Sequence, residues 1–352
     1  MLELSHSRRN EPDRLFATKE AKEYIDSLLK RYSESRHAKG ERGVNQADMP
    51  RYFRHLENII ADLHAAWQSD PSLYVGYSRG KANFIRSGSY WDELKDRPVL
   101  SYTFFVNAID FLSEIGLIED HPAPPGDRPF SSRMRATPAL IDELEKRKIN
   151  WASNGIDLNA SAIIVKDEHK KKIAPPNDPG FDLIKAERNL RRINANLQWS
   201  LINLNVTDRE YEILRRRMKG SIEDGVDVDD EGYRAPLDFS NRHLKRVFAH
   251  GSFQYGGRFY GGWWQSVPSE YRKFIEIEGC ITCEMDYSTI QPRILYARAN
   301  AESPADAYAV PGWDKGIRKI TKKAFNQLVD STRQCIKLSG VWRGRKRPRL
   351  AF

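Results

Sequence analysis

Cysteine is scarce: three residues in 352, Cys280, Cys283 and Cys335, cannot build a disulfide framework. That excludes the small, disulfide-stapled secreted class and fits a reducing, cytoplasmic setting. Long apolar runs are missing too. Without about 18 consecutive apolar residues, no transmembrane helix is expected. The opening stretch MLELSHSRRNEPDRLF lacks the apolar segment of a secretory signal. No second Cys-x-x-Cys and no histidine pair accompany Cys280 and Cys283, so a zinc site is not expected, and Cys283 reads as a small core residue.

What is present suits a water-exposed protein with packed cores. Hydrophobic residues make up 40% and aromatics 11%, charged residues 30%, and 352 residues suffice for two or three domains. The net charge of +9 is concentrated at one end. From Asp314 onward twelve Lys and Arg face only Asp314 and Asp330, a net +10 that leaves −1 for everything before it. Such a stretch favours phosphate-rich partners through counterion release, or is simply a solvated tail.

The pattern divides the chain into a polar extension (1–49) with at most one short helix near 21–32, a folded module (50–150), a polar linker (151–179), a second module (180–330) and a basic, disordered tail (331–352). An α+β fold is expected. In RYFRHLENIIADLHAAW, Phe53, Leu56, Ile60, Leu63 and Trp67 fall at helical spacing. A second helix follows with Ser101 as N-cap, its buried face running from Phe104 to Ile115, and Gly116 stops it. GLIEDHPAPPGDRPFSSRMRA then reads as a hairpin, and Thr137-Pro138 opens another helix with Thr as N-cap and Pro at its first position.

Helix, hairpin, Thr-Pro-capped helix resembles the winged-helix arrangement of DNA-binding regulators and replication initiators. That resemblance implies DNA binding, with the helix before the hairpin in the major groove and Arg128, Arg133 and Arg135 meeting phosphate from the wing. The acidic loop from Asp227 to Asp238 begins like a calcium-binding loop. The match fails at Arg234, at Pro236 and at Asp238, where a longer glutamate is needed, so a solvated loop is the better account.

Residues 239–265, FSNRHLKRVFAHGSFQYGGRFYGGWWQ, interleave glycine pairs, aromatics and bases. Arg242, Lys245, Arg246 and Arg258 can serve as phosphate donors and the aromatics as stacking faces; the other reading is a tight hairpin with its aromatics in a core. Beyond it, GCITCEMDYSTIQPRIL places Asp286 at the end of an apolar run, Ile281 to Met285, expected as a strand. A carboxylate fixed at a strand end is what metal-assisted phosphoryl transfer requires.

Asp286-Tyr-Ser-Thr-Ile-Gln-Pro-Arg-Ile-Leu295 resembles motif A of the family A DNA polymerases, and Gly257-Arg258-Phe-Tyr260 is similar to a segment upstream of motif A in single-subunit, phage-type RNA polymerases. Arg318-Lys-Ile-Thr-Lys322-Lys-Ala-Phe325 resembles motif B. The resemblance implies a palm and fingers arrangement in which Asp286 ligates catalytic magnesium, Arg318 and Lys322 hold the incoming nucleoside triphosphate, Tyr287 and Gln291 line the nucleotide site, and Arg258 meets template or primer. Gln291 and Thr289 depart from the usual glutamate and glutamine, which leaves sugar preference open. No His-Asp pair supplies a motif C, so the second metal-binding aspartate is missing; Glu284 alone is a weak substitute, and a reading frame truncated or shifted shortly after Asp330 is one hypothesis for the loss. The expectation is thus a partial, template-directed nucleotidyltransferase acting on DNA or RNA. The alternative is a non-enzymatic DNA-binding protein that uses the winged helix and the basic tail.

Overall fold

The helical spacing read from residues 50–67 forms the spine of the larger unit. The computed structural model describes residues 6–85, 90–124, 132–223, 237–285, 287–310, 312 and 316–330. Strands β1 (Ser7–Arg9) and β2 (Arg14–Phe16) precede helices α1 (Lys19–Ala38) and α2 (Met49–Ser69). Helix α2 is buried along most of its length, including His55, Glu57, Asn58, Asp62 and His64. A helix wrapped on all sides is a central one, and its polar residues need partners inside the protein.

Residues 1–49 are not a polar extension. Ala21, Tyr24, Ile25, Leu28, Leu29 and Tyr32 give α1 a buried face that packs into the main core beside α2 and Phe16. Those six sit at helical spacing within a charged segment, so average composition concealed a regular pattern.

After α2 come β3 (Tyr74–Tyr77), the short pair β4 (Trp91–Asp92) and β5 (Arg97–Pro98), α3 (Tyr102–Glu114), β6 (Ile118–His121), β7 (Ser132–Ala136) and α4 (Pro138–Lys146). The expected hairpin pairs Ile118 with Ala136 through His121 with Arg133. Its sheet runs β1-β3-β7-β6, with β1 parallel to β3 and the other pairings antiparallel. Thr137 caps α4 as expected, accepting from the Leu140 N–H. The core under this sheet joins Phe16 and α1 to Phe105, Ile109 and Leu112 of α3 and Leu140 and Leu144 of α4.

The segment 151–179 is built into the fold rather than serving as a linker. It carries β8 (Asn154–Ile156), paired with β2, and the hairpin β9 (Ile163–Lys166) and β10 (Lys172–Ile173). The charged run DEHKK is that hairpin's turn, in which the Asp167 carboxylate accepts from the His169 and Lys171 N–H groups. Ile163 and Val165 alternate inward and join a second core with Leu190 and Phe248.

Then follow α5 (Leu183–Trp199), β11 (Ile202–Leu204), α6 (Asp208–Glu223), β12 (Lys245–Phe248), β13 (Gly256–Tyr260), α7 (Ser269–Arg272), β14 (Ile275–Ile277) and β15 (Cys280–Ile281). One sheet orders β10-β9-β12-β13 and another β11-β14-β15. A third core gathers Ile202, Leu214, Met218, Leu237, Trp263 and Val267. The chain divides into two compact units, Met1–Thr282 and Cys283–Phe352. The second contains α8 (Ile290–Arg298) and α9 (Ile317–Asp330). The fold is α+β, and among the described residues no helix is long and apolar enough to cross a membrane.

Candidate nucleotide and nucleic-acid site

The glycine-aromatic stretch folds as the β12–β13 hairpin, and close backbone approach explains its glycines. Gly256 and Gly257 adopt φ of 77° and 76°, beside a bulge between Val247 and Phe248. At Gly261 a Cβ would stand 2.4 Å from the His243 carbonyl oxygen. Those positions require glycine.

Three of the four bases singled out here are committed within the protein. Arg242 is buried, lies 5.3 Å over the Trp151 ring and donates to the Ser200 carbonyl at 2.9 Å. Lys245 donates to Glu11 at 2.8 Å and stands 3.6 Å from Asp13. Arg246 donates to the Gly257 carbonyl and lies 4.8 Å from the Phe248 ring centroid and 5.7 Å from that of Phe259. Basic residues between aromatics read equally well as phosphate donors or as hairpin staples, and the partners that decide, Glu11 and Trp151, are remote in sequence. Arg258 is exposed on edge strand β13, two residues before Tyr260 and therefore on the same face. Tyr255, Phe259 and Tyr260 are each more than 40% exposed. A base and stacking faces thus stand together on this exposed edge.

On the other hairpin, Arg135 pairs with Glu119 at 2.7 Å directly across the strands and lies 4.6 Å over Tyr74. Arg133 is half-buried beside His121, and burial pulls its pKa down. Arg128 lies outside the described residues, as do the acidic loop up to Pro236 and the basic tail. Asp238, at the loop's end, is described: it is buried and accepts from Arg14 at 2.8 Å. That use is structural and unrelated to calcium.

Asp286 also lies outside the described residues. The strand expected to deliver it is shorter than expected: β15 ends at Ile281, and Ile281 and Met285 are 81% and 87% exposed. Cys280 and Cys283 are exposed, so Cys283 is not a core residue. Their apolar neighbours suggested burial, but β15 is an edge strand of two residues.

Past Asp286, Tyr287 is exposed and Thr289 is buried at φ 57°, where it starts α8 and accepts from Arg293 Nε at 3.1 Å. Gln291 is half-exposed in the first turn of α8 and Pro292 is buried next to it. On α9, Arg318 and Lys322 stand four residues apart and hence on one face. Arg318 donates to Asp306 at 2.5 Å and its guanidinium lies 5.6 Å over Tyr308, which also meets Phe325 edge-on. Hydrogen bonds from Arg318 and from the Tyr308 N–H hold the Asp306 carboxyl below the usual range. Asp306 was missed from sequence because nothing in ESPADAY marks it as a partner for a residue twelve positions on. Lys322 is exposed.

Among the described residues no group of three His, Cys, Asp or Glu could hold a metal ion. Magnesium is commonly held by one or two carboxylates together with substrate phosphates, and the carboxylate that the resemblance assigns to it, Asp286, is not among the described residues. Comparisons of the chain with protein families, with curated proteins and with solved structures found no match.

Proposed function

We propose that the second unit is the nucleotide-binding part of a template-directed nucleotidyltransferase of the family A polymerase type, joined to a first unit that binds nucleic acid. The observation that carries this reading is that Arg318 and Lys322 share one face of α9, with α8 beginning at Ile290, four residues after Asp286 in the chain. A helix after Asp286 and a helix bearing Arg318 and Lys322 support the likeness to motifs A and B, whereas β15 ends at Ile281, short of the strand expected before Asp286. Two cations on one helical face suit a triphosphate, the guanidinium as a planar fork and the ammonium as a point charge. Asp286 would share magnesium with the phosphates, and the ion would neutralise charge there. Tyr287 and Gln291 lie in the chain within five residues of Asp286, where they can meet base or sugar. Arg258, with Tyr255 and Tyr260, offers a single strand phosphate and stacking contacts.

The test is titration of a fluorescent nucleoside triphosphate with and without magnesium. Wild-type protein should bind more tightly with the ion, and Asp286→Ala should bind equally with and without it. A magnesium effect that survives Asp286→Ala would contradict the reading.

A second reading, DNA binding by a winged helix, is favoured by the sheet order β3-β7-β6 beside α2 and α3. Against base readout, α3 contains no Lys or Arg, and its Asp110 and Glu114 would face phosphate unfavourably. Duplex binding that is weakened by Arg133→Ala and indifferent to Asp286→Ala would favour this second reading.

A further inference from the structure

Helix α5 is locked to its sheet by an inner face. Leu190 lies in the second core with Ile163 and Phe248, and the buried Asn194 amide bonds both backbone groups of Leu244, at 2.8 and 2.9 Å. Glu187, the only acidic residue of the helix, also turns inward, where its carboxylate accepts from the Ala162 and Ile163 N–H groups at 3.1 Å. The face left to water is therefore fixed in direction.

That outer face is basic. Lys185, Arg188, Arg191 and Arg192 are all exposed, and among the described residues no carboxylate forms an ion pair with Lys185, Arg188 or Arg192. Like charges three and four residues apart destabilise a helix, so this face costs stability that an external anion would return. Lys185, Arg188, Arg192 and Trp199 follow at steps of three, four and seven, which keeps them on one stripe about 21 Å long. Trp199 closes the stripe with 78% of its surface in water. The Ser200 carbonyl next to it holds Arg242, whose guanidinium lies 5.3 Å from the ring of part-exposed Trp151. Cations and indole faces thus succeed one another along this side.

The chemistry of the partner follows from that combination. Three of the four cations are guanidiniums, planar forks that match phosphate. An anionic membrane takes up a helix through its apolar face, and that face of α5 is already in the core. An acidic peptide matches the charge and leaves the indole without a planar partner; a duplex keeps its base faces inside. A single strand offers phosphates and open base faces together.

We infer that the outer face of α5 binds single-stranded nucleic acid, with Lys185, Arg188 and Arg192 on phosphates and Trp199 stacked on a base. The inference rests on the reading of the first unit as a nucleic-acid binder and adds a surface separate from Arg258. On β13, Phe259 faces Arg246 and hence Phe181 on the α5 side, and Arg258 beside it points to the other side of the sheet.

Anisotropy titration of a labelled oligothymidylate with the full chain, over a range of salt, tests this. Wild-type protein should bind the strand more tightly than a duplex of the same length. Arg188→Glu puts a carboxylate three residues after Lys185 and four before Arg192. It should keep or raise the melting temperature while weakening strand binding at least tenfold. Trp199→Ala should weaken binding about tenfold and leave the salt dependence unchanged, because the lost contact is uncharged. Wild-type affinity in either variant, or a duplex bound as tightly as the strand, would overturn the inference. So would polyglutamate or phosphatidylserine vesicles competing as well as unlabelled strand. If both α5 variants bind normally and Arg258→Ala weakens binding, the first unit still binds a strand and only the α5 assignment falls. Absence of strand binding by the wild-type protein at low salt would remove both surfaces.

Discussion

Arg14 is almost wholly buried, and its guanidinium donates to Asp62, Asp238 and Ser240. Asp62 in turn accepts from Arg8, Asn10 and the Glu11 N–H, so the carboxylate is fully satisfied in a place water does not reach. Beside it, burial pushes the Asp13 carboxyl up to about 6, whereas for Glu11 the Lys245 ammonium outweighs burial and holds the carboxyl down to about 2. Removing one member of such a cluster strands the rest. Arg14→Met should therefore cost about 3–5 kcal/mol in urea unfolding, and a loss below about 1 kcal/mol would mean that the cluster is dispensable. The pair Asp306–Arg318 is different, because both side chains are over a third exposed. Solvent screening leaves such a pair little weight in stability. Asp306→Ala should leave stability nearly unchanged and tighten triphosphate binding by up to about fivefold, since Arg318 no longer has a competing carboxylate. Weaker binding in Asp306→Ala would instead mean that the carboxylate positions the arginine.

Helix α3 illustrates how far an element can be read before its partners are known. Its span and buried face follow from Phe105, Ile109 and Leu112 alone, yet the expected Ser101 cap makes no side-chain bond. Instead the Ser101 N–H donates to Nε2 of His55 at 2.7 Å, while His55 Nδ1 lies 2.6 Å from the Arg51 carbonyl. Only a neutral imidazole can accept there. Burial, with Arg54 and Arg51 nearby, pushes His55 down to about 4 from its ordinary 6.5. The unfolded chain thus binds this proton first, and the stability His55 contributes is present above pH 6.5 and lost as pH falls toward 4. His55→Gln should flatten the dependence of unfolding free energy on pH across that window by up to about 1.4 kcal/mol per pH unit. An unchanged slope would contradict the neutral assignment. Between β13 and Trp263 the limit is backbone geometry. Gly261→Ala would push a Cβ to 2.4 Å from a carbonyl oxygen at φ 117°, whereas Gly279, at φ 74°, has open space around it. The first substitution should lower the melting temperature clearly more than the second, whose cost is the left-handed backbone alone, about 1–2 kcal/mol.

Across the molecule, what was legible in the sequence is what depends on local spacing: α2, α3, the β6–β7 hairpin, the capped α4 and the α+β class. What was not legible depends on contacts made far along the chain. Arg14 meets residues more than 220 positions away, and the strands of 151–179 acquire partners from both ends of the larger unit. The same limit affected the candidate site. Arg242, Lys245 and Arg246 looked like phosphate donors until Trp151, Glu11 and Phe248 were seen beside them. Arg258 and the aromatics of β13 are exposed, where a nucleic acid could reach them. Binding of a short single strand should weaken with salt, and Arg258→Ala should reduce the slope by about 0.7, the value for one lost contact on single-stranded nucleic acid; an unaltered slope would remove β13 from the interface. The central claim concerns the cations of α9, and calorimetric titration of a magnesium–nucleoside triphosphate into wild-type, Arg318→Ala and Lys322→Ala proteins tests it most directly. Each variant should keep the wild-type melting temperature and bind about tenfold or more weakly, as for a lost charge-assisted contact of about 1.5–3 kcal/mol. Wild-type affinity in both would contradict the account.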